Sequence, residues 1–222
     1  MVYLWMNERR FSLRIMFLCI KPLNLNTVFS FEYYNLARFY FKFVTKVLNK
    51  FILGSVIYVK RLSFYISPFS LNLVLLFLKY NVICKLSSLM DITVTDYPSR
   101  QKGRFELIYV FWNSVYNFSV SLKCLITENF PLLSISFLYK SASWLEREVW
   151  DMFGVKFFFH SNLRRILTDY GFQGHPLRKD FPLVGFVELR YDDLYRSIFM
   201  EPVELSQDFR YFKFENPWSN WL

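Results

Sequence analysis

Several chemistries are excluded by what this 222-residue chain lacks. It has three cysteines, Cys19, Cys84 and Cys124, an odd number with no C-x-x-C pair. That rules out a disulfide framework and offers no zinc or iron–sulfur spacing. The simplest account is three buried thiols in a reducing compartment. The only histidines, His160 and His175, stand 15 residues apart with no cysteine nearby and match no common metal spacing. Each sits beside turn formers, Ser161-Asn162 or Gly174 and Pro176, where a side-chain-to-backbone hydrogen bond is the expected duty. Glycine is scarce, and Gly171-x-x-Gly174 is too short for a phosphate loop and precedes no helix. No nucleophile elbow occurs. The longest uncharged runs, Leu62–Leu78 and Leu107–Leu122, are broken by Pro68, Asn72, Asn113, Asn117 and serines. Both fit elements of a packed domain better than spans of about 20 apolar residues. The N-terminal apolar core, Ile15–Ile20, is short for a secretory signal.

What is abundant is aromatic. Phe (27) and Tyr (15) are over-used while alanine occurs only at Ala37 and Ala142, a skew that suggests an AT-rich genome of the mitochondrial kind. At 54% hydrophobic the chain can pack a core. Residues 1–140 carry 17 basic and 6 acidic side chains, net +11, whereas 141–222 carry 10 and 12. A basic half invites an anionic partner, although net charge speaks to partners and not to fold.

Along the chain, Phe31–Leu53 reads as an amphipathic helix with Leu36, Phe39, Tyr40, Phe43 and Val47 on its apolar face and Arg38, Lys42, Lys46 and Lys50 on another. Ser55–Ile66 reads as a strand and Pro68–Lys79 as a short apolar helix. Val82–Tyr97, Phe105–Val110 and Val115–Ile126 read as strands, with a turn-rich connector at 98–103. The order predicts an α+β fold, a mixed β-sheet packed with helices, followed by a long extended C-terminal arm. The expected organisation is an N-terminal segment with the basic helix (1–53), an α+β core (54–160) and the arm (161–222).

The stretch from Ser143 to Pro182 is the densest in charges, aromatics and turn residues. Ser143-x-x-Glu146 has the form of a capping box, Leu145, Val149, Met152 and Phe153 share a face, and Gly154 stands where a left-handed cap is wanted. The spacing therefore predicts a helix over 144–153. Arg147 and Asp151 are placed for an i, i+4 ion pair, and Glu148 is free to face a partner's arginine. Trp150 falls on the polar side, about 40° from Glu146 on the helical wheel, which suggests a buried interface. Arg164-Arg165 and Arg178-Lys179 alternate with Asp169 and Asp180, favouring ion-paired protein contacts over a phosphate track. Val187, Leu189 and Tyr191 alternate with charged residues as a half-exposed strand, and Asp192-Asp193 opens a turn into Ser197–Met200. The aromatics Phe209, Tyr211, Phe212, Phe214, Trp218 and Trp221 need a cover.

Glu146-Arg147-Glu148-Val149-Trp150-Asp151-Met152-Phe153, followed by His160 and then Arg164-x-Ile166-Leu167, resembles the signature of the 30-kDa subunit of respiratory complex I. So do the stretches Thr168–Asp193 and Glu201–Phe212 and the Asn216-Pro217-Trp218 triplet. The resemblance extends from about Ser55 to Leu222. It implies a subunit of the hydrophilic arm, in the quinone-reducing module, on the matrix side of the mitochondrial inner membrane and encoded in the organelle. It implies a scaffold with no catalytic residue, metal or cofactor of its own, FMN and iron–sulfur clusters being held by other subunits. Its implied partners are the 49-kDa subunit and the subunit holding the terminal iron–sulfur cluster. On that resemblance the interface signature is Glu146, Arg147, Glu148, Trp150, Asp151, His160, Arg164, Arg165, Asp169, Tyr170, Gly171, Gly174, His175, Pro176, Arg178, Lys179, Asp180, Pro182, Arg190, Tyr191, Glu201, Pro202, Phe209, Arg210 and Trp218. Two rivals stand beside it. One is the related subunit of membrane-bound hydrogenases, against which the extended arm argues. The other is a basic mitochondrial RNA-binding or ribosomal protein, motivated by the charge of residues 1–140.

Overall fold

The computed structural model describes residues 25–58, 61–100, 103–210 and 212, with side chains from Leu36 onward in the first helix. That helix, α1, runs Leu25–Val47 and is followed by a hairpin of β1 (Ile52–Tyr58) and β2 (Arg61–Ile66). A 3-10 turn at Pro68–Ser70 leads into α2 (Leu71–Tyr80), then β3 (Ser88–Asp96), β4 (Phe105–Asn113) and β5 (Phe118–Ile126). These five strands form one sheet in the order β1-β2-β5-β4-β3, antiparallel throughout except for the parallel pair β2–β5. The sheet is therefore mixed, and the domain is α+β.

Alternation decides which face is buried. Leu62, Phe64 and Ile66 of β2, Phe105, Leu107, Tyr109 and Phe111 of β4, and Phe118, Val120, Leu122 and Cys124 of β5 are buried. Their neighbours Ser63, Tyr65, Ser119, Ser121 and Lys123 point the other way and stay half-exposed, the pattern of a sheet covered on one side. Val74, Leu75 and Leu78 of α2 and Tyr40 and Val44 of α1 join the same core. The Tyr40 ring meets Phe118 edge-on at 5.0 Å, a geometry favoured by the ring quadrupoles.

Three local expectations are corrected. The buried face of α1 carries Ala37, Tyr40, Val44 and, just past the helix, Leu48, while Leu36, Phe39 and Val47 are exposed. Only Tyr40 of the expected apolar face is buried. An all-round aromatic helix has no unique amphipathic reading, and contact with the sheet selected the stripe. The segment 55–66 is a hairpin, not one strand. The β3 strand begins at Ser88, because Asn81 Oδ1 accepts from the Ile83 and Cys84 amides and holds 81–84 in a turn. Cys84 and Cys124 are free and buried, while Cys19 lies outside the described residues. No helix among the described residues is long and apolar enough to cross a membrane.

Past the sheet, β6 (Leu132–Leu133) pairs parallel with β7 (Phe157–Phe158), and helix α3 (Ala142–Phe153) connects them. The rest is irregular apart from the antiparallel hairpin β8 (Val187–Asp192) and β9 (Ser197–Pro202). Truncating Tyr40 to alanine should cost about 3–5 kcal/mol, whereas Phe39→Ala on the exposed side should stay within roughly 0.5 kcal/mol. Denaturant unfolding of the two variants checks the assignment of the helix face.

Candidate functional site

Helix α3 is where the sheet and the irregular segment 161–210, the arm, meet. Its wheel is not simply amphipathic: Ala142, Glu146, Val149 and Asp151 are all buried. Asp151 lies roughly opposite Val149, two residues being about 200° of rotation. The core covers one side, and the arm covers the other.

The buried Asp151 carboxylate is the centre of that contact. Its Oδ2 accepts the backbone N–H groups of Ile166 (3.2 Å), Leu167 (2.8 Å) and Thr168 (3.0 Å). Its Oδ1 accepts the Thr168 hydroxyl at 2.7 Å and the Arg165 guanidinium at 3.1 Å. Burial pushes this carboxyl up, but the bonds from Leu167, Thr168 and Ile166 outweigh it and hold the group below the ordinary aspartate value. The same turn of helix ends on carbonyls that have no intrahelical donor. The arm supplies the donors: His175 Nδ1–H to Asp151 O at 2.9 Å, the Leu177 amide to Met152 O at 3.1 Å and Arg178 Nε to Phe153 O at 2.6 Å. Gly154 closes the helix in the left-handed region at φ 77°, its amide bonded to Trp150 O. A Cβ there would meet His175 at 2.6 Å and crowd the Arg178 guanidinium, so glycine is required by conformation and by space.

A second polar cluster fixes the arm to the end of the sheet. Asp96, the last residue of β3, holds Arg104 in a two-pronged pair (2.8 and 2.9 Å) and accepts the Lys179 amide at 2.9 Å. Arg104 also pairs with Asp180 at 2.9 Å, and Arg178 pairs with Glu128 at 2.5 Å. The Arg104 guanidinium holds both aspartates below their usual range.

The remaining signature residues divide by position. Glu146 is buried and accepts from Ser134 Oγ at 2.6 Å and the Ile135 amide at 2.7 Å. The expected capping box is therefore absent. The helix begins at Ala142, its N-cap Ser141 makes no side-chain bond, and Glu146 faces inward to the loop after β6. The expected Arg147–Asp151 pair is also replaced. Arg147 stacks over Trp144 at 5.6 Å with its Nε buried and unpartnered, and Asp151 takes Arg165. Glu148 is exposed, and Trp150 is half-buried edge-on to His175 at 5.5 Å. His160 donates from Nε2 to Ser143 O and accepts the Asn162 amide at Nδ1, both at 3.1 Å, so both histidines bond backbone groups as expected.

Arg164, Asp169, Tyr170 and Gly171 are exposed. Gly174 adopts φ 97° with Phe181 packed where a Cβ would stand. Pro176, Phe181 and Pro182 are half-buried. Arg190 and Glu201 pair across β8 and β9 at 2.7 Å, beside exposed Tyr191 and Pro202. Phe209 and Arg210 are exposed, and Tyr211, Phe214, Trp218 and Trp221 lie outside the described residues. Missed by the sequence reading were Asp96, Arg104, Glu128, Ser134 and Thr168. The partners that tie them to distant segments lie 8 to 83 residues away, beyond any local spacing rule.

Between the 169–176 loop and the β8–β9 hairpin lies an open apolar groove of about 880 Å³, lined by Phe172, Phe181, Phe186, Leu189 and Met200 among others. Replacing Asp151 by alanine strands its five donors and should loosen the arm by about 3 kcal/mol, roughly a hundredfold. Amides of 165–178 should then exchange deuterium faster while β3–β5 keep their protection. Because the Asp151 and Asp96 values are depressed, their contribution is full above the ordinary aspartate value near pH 4 and is lost as pH falls through the lowered values. Asp151→Asn should flatten that acid limb.

The family model of the respiratory-chain NADH dehydrogenase 30-kDa subunit matches residues 64–187. The chain is 53% identical over 156 residues to NADH-ubiquinone oxidoreductase subunit 9 of Prototheca wickerhamii, covering 70% of this chain and 81% of that one. It is 50% identical over 155 residues to NADH dehydrogenase [ubiquinone] iron-sulfur protein 3 of Oryza sativa subsp. japonica, with the same coverage. Among solved structures, a chain of an archaeal respiratory complex, the membrane-bound sulfane sulfur reductase, aligns with a TM-score of 0.50 at 25% identity over 64% of this chain and 85% of that one. The match over more than half the chain, together with these identities, shows that the chain belongs to the family of the 30-kDa subunit of the respiratory-chain NADH dehydrogenase.

Proposed function

We propose that this chain is a non-catalytic scaffold subunit of mitochondrial complex I. It sits in the quinone-reducing module of the hydrophilic arm, peripheral on the matrix side of the inner membrane. In this reading its arm lies over the 49-kDa subunit, near the subunit with the terminal iron–sulfur cluster. The chain binds no cofactor; FMN and iron–sulfur clusters belong to other subunits, and the complex couples NADH oxidation by ubiquinone to proton pumping. Its gene lies in the organelle in this reading, which the Phe- and Tyr-rich composition supports.

The observation that carries the reading is the arm. Leu183, Phe186, Leu189, Leu194, Tyr195 and Met200 are all more than half exposed, far more apolar surface than an isolated segment keeps in water. Yet the arm is held to the domain by polar anchors that leave those side chains available. Meanwhile four ionisable groups of the signature, Asp151, Glu146, His160 and His175, are engaged in hydrogen bonds to the protein's own backbone and side chains. A domain that presents a braced apolar surface contributes by fixing distances between neighbours, on which long-range electron transfer depends.

The identities near 50% to NADH dehydrogenase subunits favour this reading over a place in another type of membrane complex. Leu189→Asp and Leu194→Asp place charge on exposed positions of the hairpin and should leave the domain's stability unchanged. The amount of complex on native gels should fall, with NADH:ubiquinone activity falling in proportion. A complex assembled in full amount with turnover alone lost would sink the scaffold reading.

A further inference from the structure

Glu146 carries a duty that docking the arm does not use. Its side chain is wholly buried, and among the described residues no lysine or arginine pairs with it. Three elements face it. The loop after β6 contributes the Ser134 hydroxyl and the Ile135 amide. The segment after β7 contributes His160, whose Nε2 lies 3.9 Å from Glu146 Oε2. The sheet contributes the buried Tyr109 phenol, whose hydroxyl has no hydrogen-bond partner. Burial first, then the Cys124 and Glu146 charges, hold that phenol well above its ordinary value. None of these groups is a lysine or an arginine. The Asn162 amide donates to His160 Nδ1, which leaves the ring's one proton on Nε2 for Ser143 O; a second ring proton would break the Asn162 bond. A carboxyl so placed is favoured in its neutral form, and burial pushes it up to about 7 against the opposing bonds from Ser134 and Ile135.

The site also has an exit. Ser134 Oγ stands 2.6 Å from Glu146 and 2.8 Å from Ser136 Oγ, and Ser136 is half-buried. We propose that Glu146 is a proton-binding site inside the domain, connected to solvent through the Ser134 and Ser136 hydroxyls, and that loss of its proton loosens the His160 tie between α3 and the start of the arm. On release, the carboxyl proton passes to Ser134 Oγ, the Ser134 proton to Ser136 Oγ and the Ser136 proton to water, forming hydronium. Each serine ends with one proton, and Glu146 ends as a carboxylate accepting from Ser134. That carboxylate is a stronger acceptor than the Ser143 carbonyl and competes for the His160 Nε2–H. Because the acid is raised, its stabilising contribution is full below the unfolded glutamate value and is lost as pH rises through about 7.

The test is a titration of the full-length chain carrying ¹³C at its glutamate carboxyls, followed by NMR. One carboxyl should titrate near pH 7, and Glu146→Gln should remove that transition. The Asn162 amide should exchange faster above the midpoint in the unaltered chain alone. Ser134→Ala, which deletes the hydroxyl donor, should raise the midpoint further and serves if the glutamine variant fails to fold. The proposal is overturned if every glutamate titrates below about pH 5.5, if the transition survives in Glu146→Gln, or if Ser134→Ala leaves it in place. Exchange at Asn162 that ignores pH would overturn the link to the arm.

Discussion

One carboxylate and three backbone carbonyls, all in the last turn of α3, hold the arm against the sheet domain. Asp151 receives five donors from residues 165–168. The carbonyls of residues 151–153 receive His175, Leu177 and Arg178. A buried aspartate without those donors would be a large penalty, and a helix end without them would leave acceptors unsatisfied. Each half of the contact therefore needs the other. The arm's path over 165–178 is set by backbone groups seeking acceptors more than by apolar burial.

This division of labour explains the odd surface of the molecule. The core consumes apolar side chains from α1, α2, α3 and one face of the sheet. The arm is anchored by ions and amides, with Asp96, Arg104 and Asp180 securing its second half. Its own leucines and aromatics remain outward. Anchors of this kind specify geometry, since a two-pronged arginine–carboxylate pair tolerates little displacement. They suit a protein whose family places it within a multi-subunit enzyme.

The same helix that holds the arm also buries Glu146 at its other end, beside the residue where the arm departs. Both carboxylates sit in α3 and both are wholly buried, yet their surroundings push them apart. Backbone amides and the Thr168 hydroxyl hold Asp151 below its ordinary value, whereas burial outweighs the one hydroxyl and one amide at Glu146 and pushes it up to about 7. More donors at Asp151 and a heavier burial cost at Glu146 together separate them.

Much was legible in the sequence. The strand-like runs at 105–110 and 115–126 and the proline-led apolar run at 68–79 marked their elements, because each is uninterrupted enough to be buried. Gly154 marked the end of α3 because few other residues reach its backbone angles. The motif from Glu146 to Leu167 was enough to indicate the family. The partners of its charges were not legible. Glu146 looked like a cap and Asp151 like half of a surface pair, since local rules assume an exposed helix. Which side of α1 would be buried was equally hidden, with aromatics all around it. The sequence alone determined the fold class, the end of α3 at Gly154 and the kinship of the chain, because those follow from neighbours within a turn or a strand. Only the tertiary structure decided that both α3 carboxylates are interior and which distant donors they meet, because burial and hydrogen-bond satisfaction are settled by segments that are far apart in the chain.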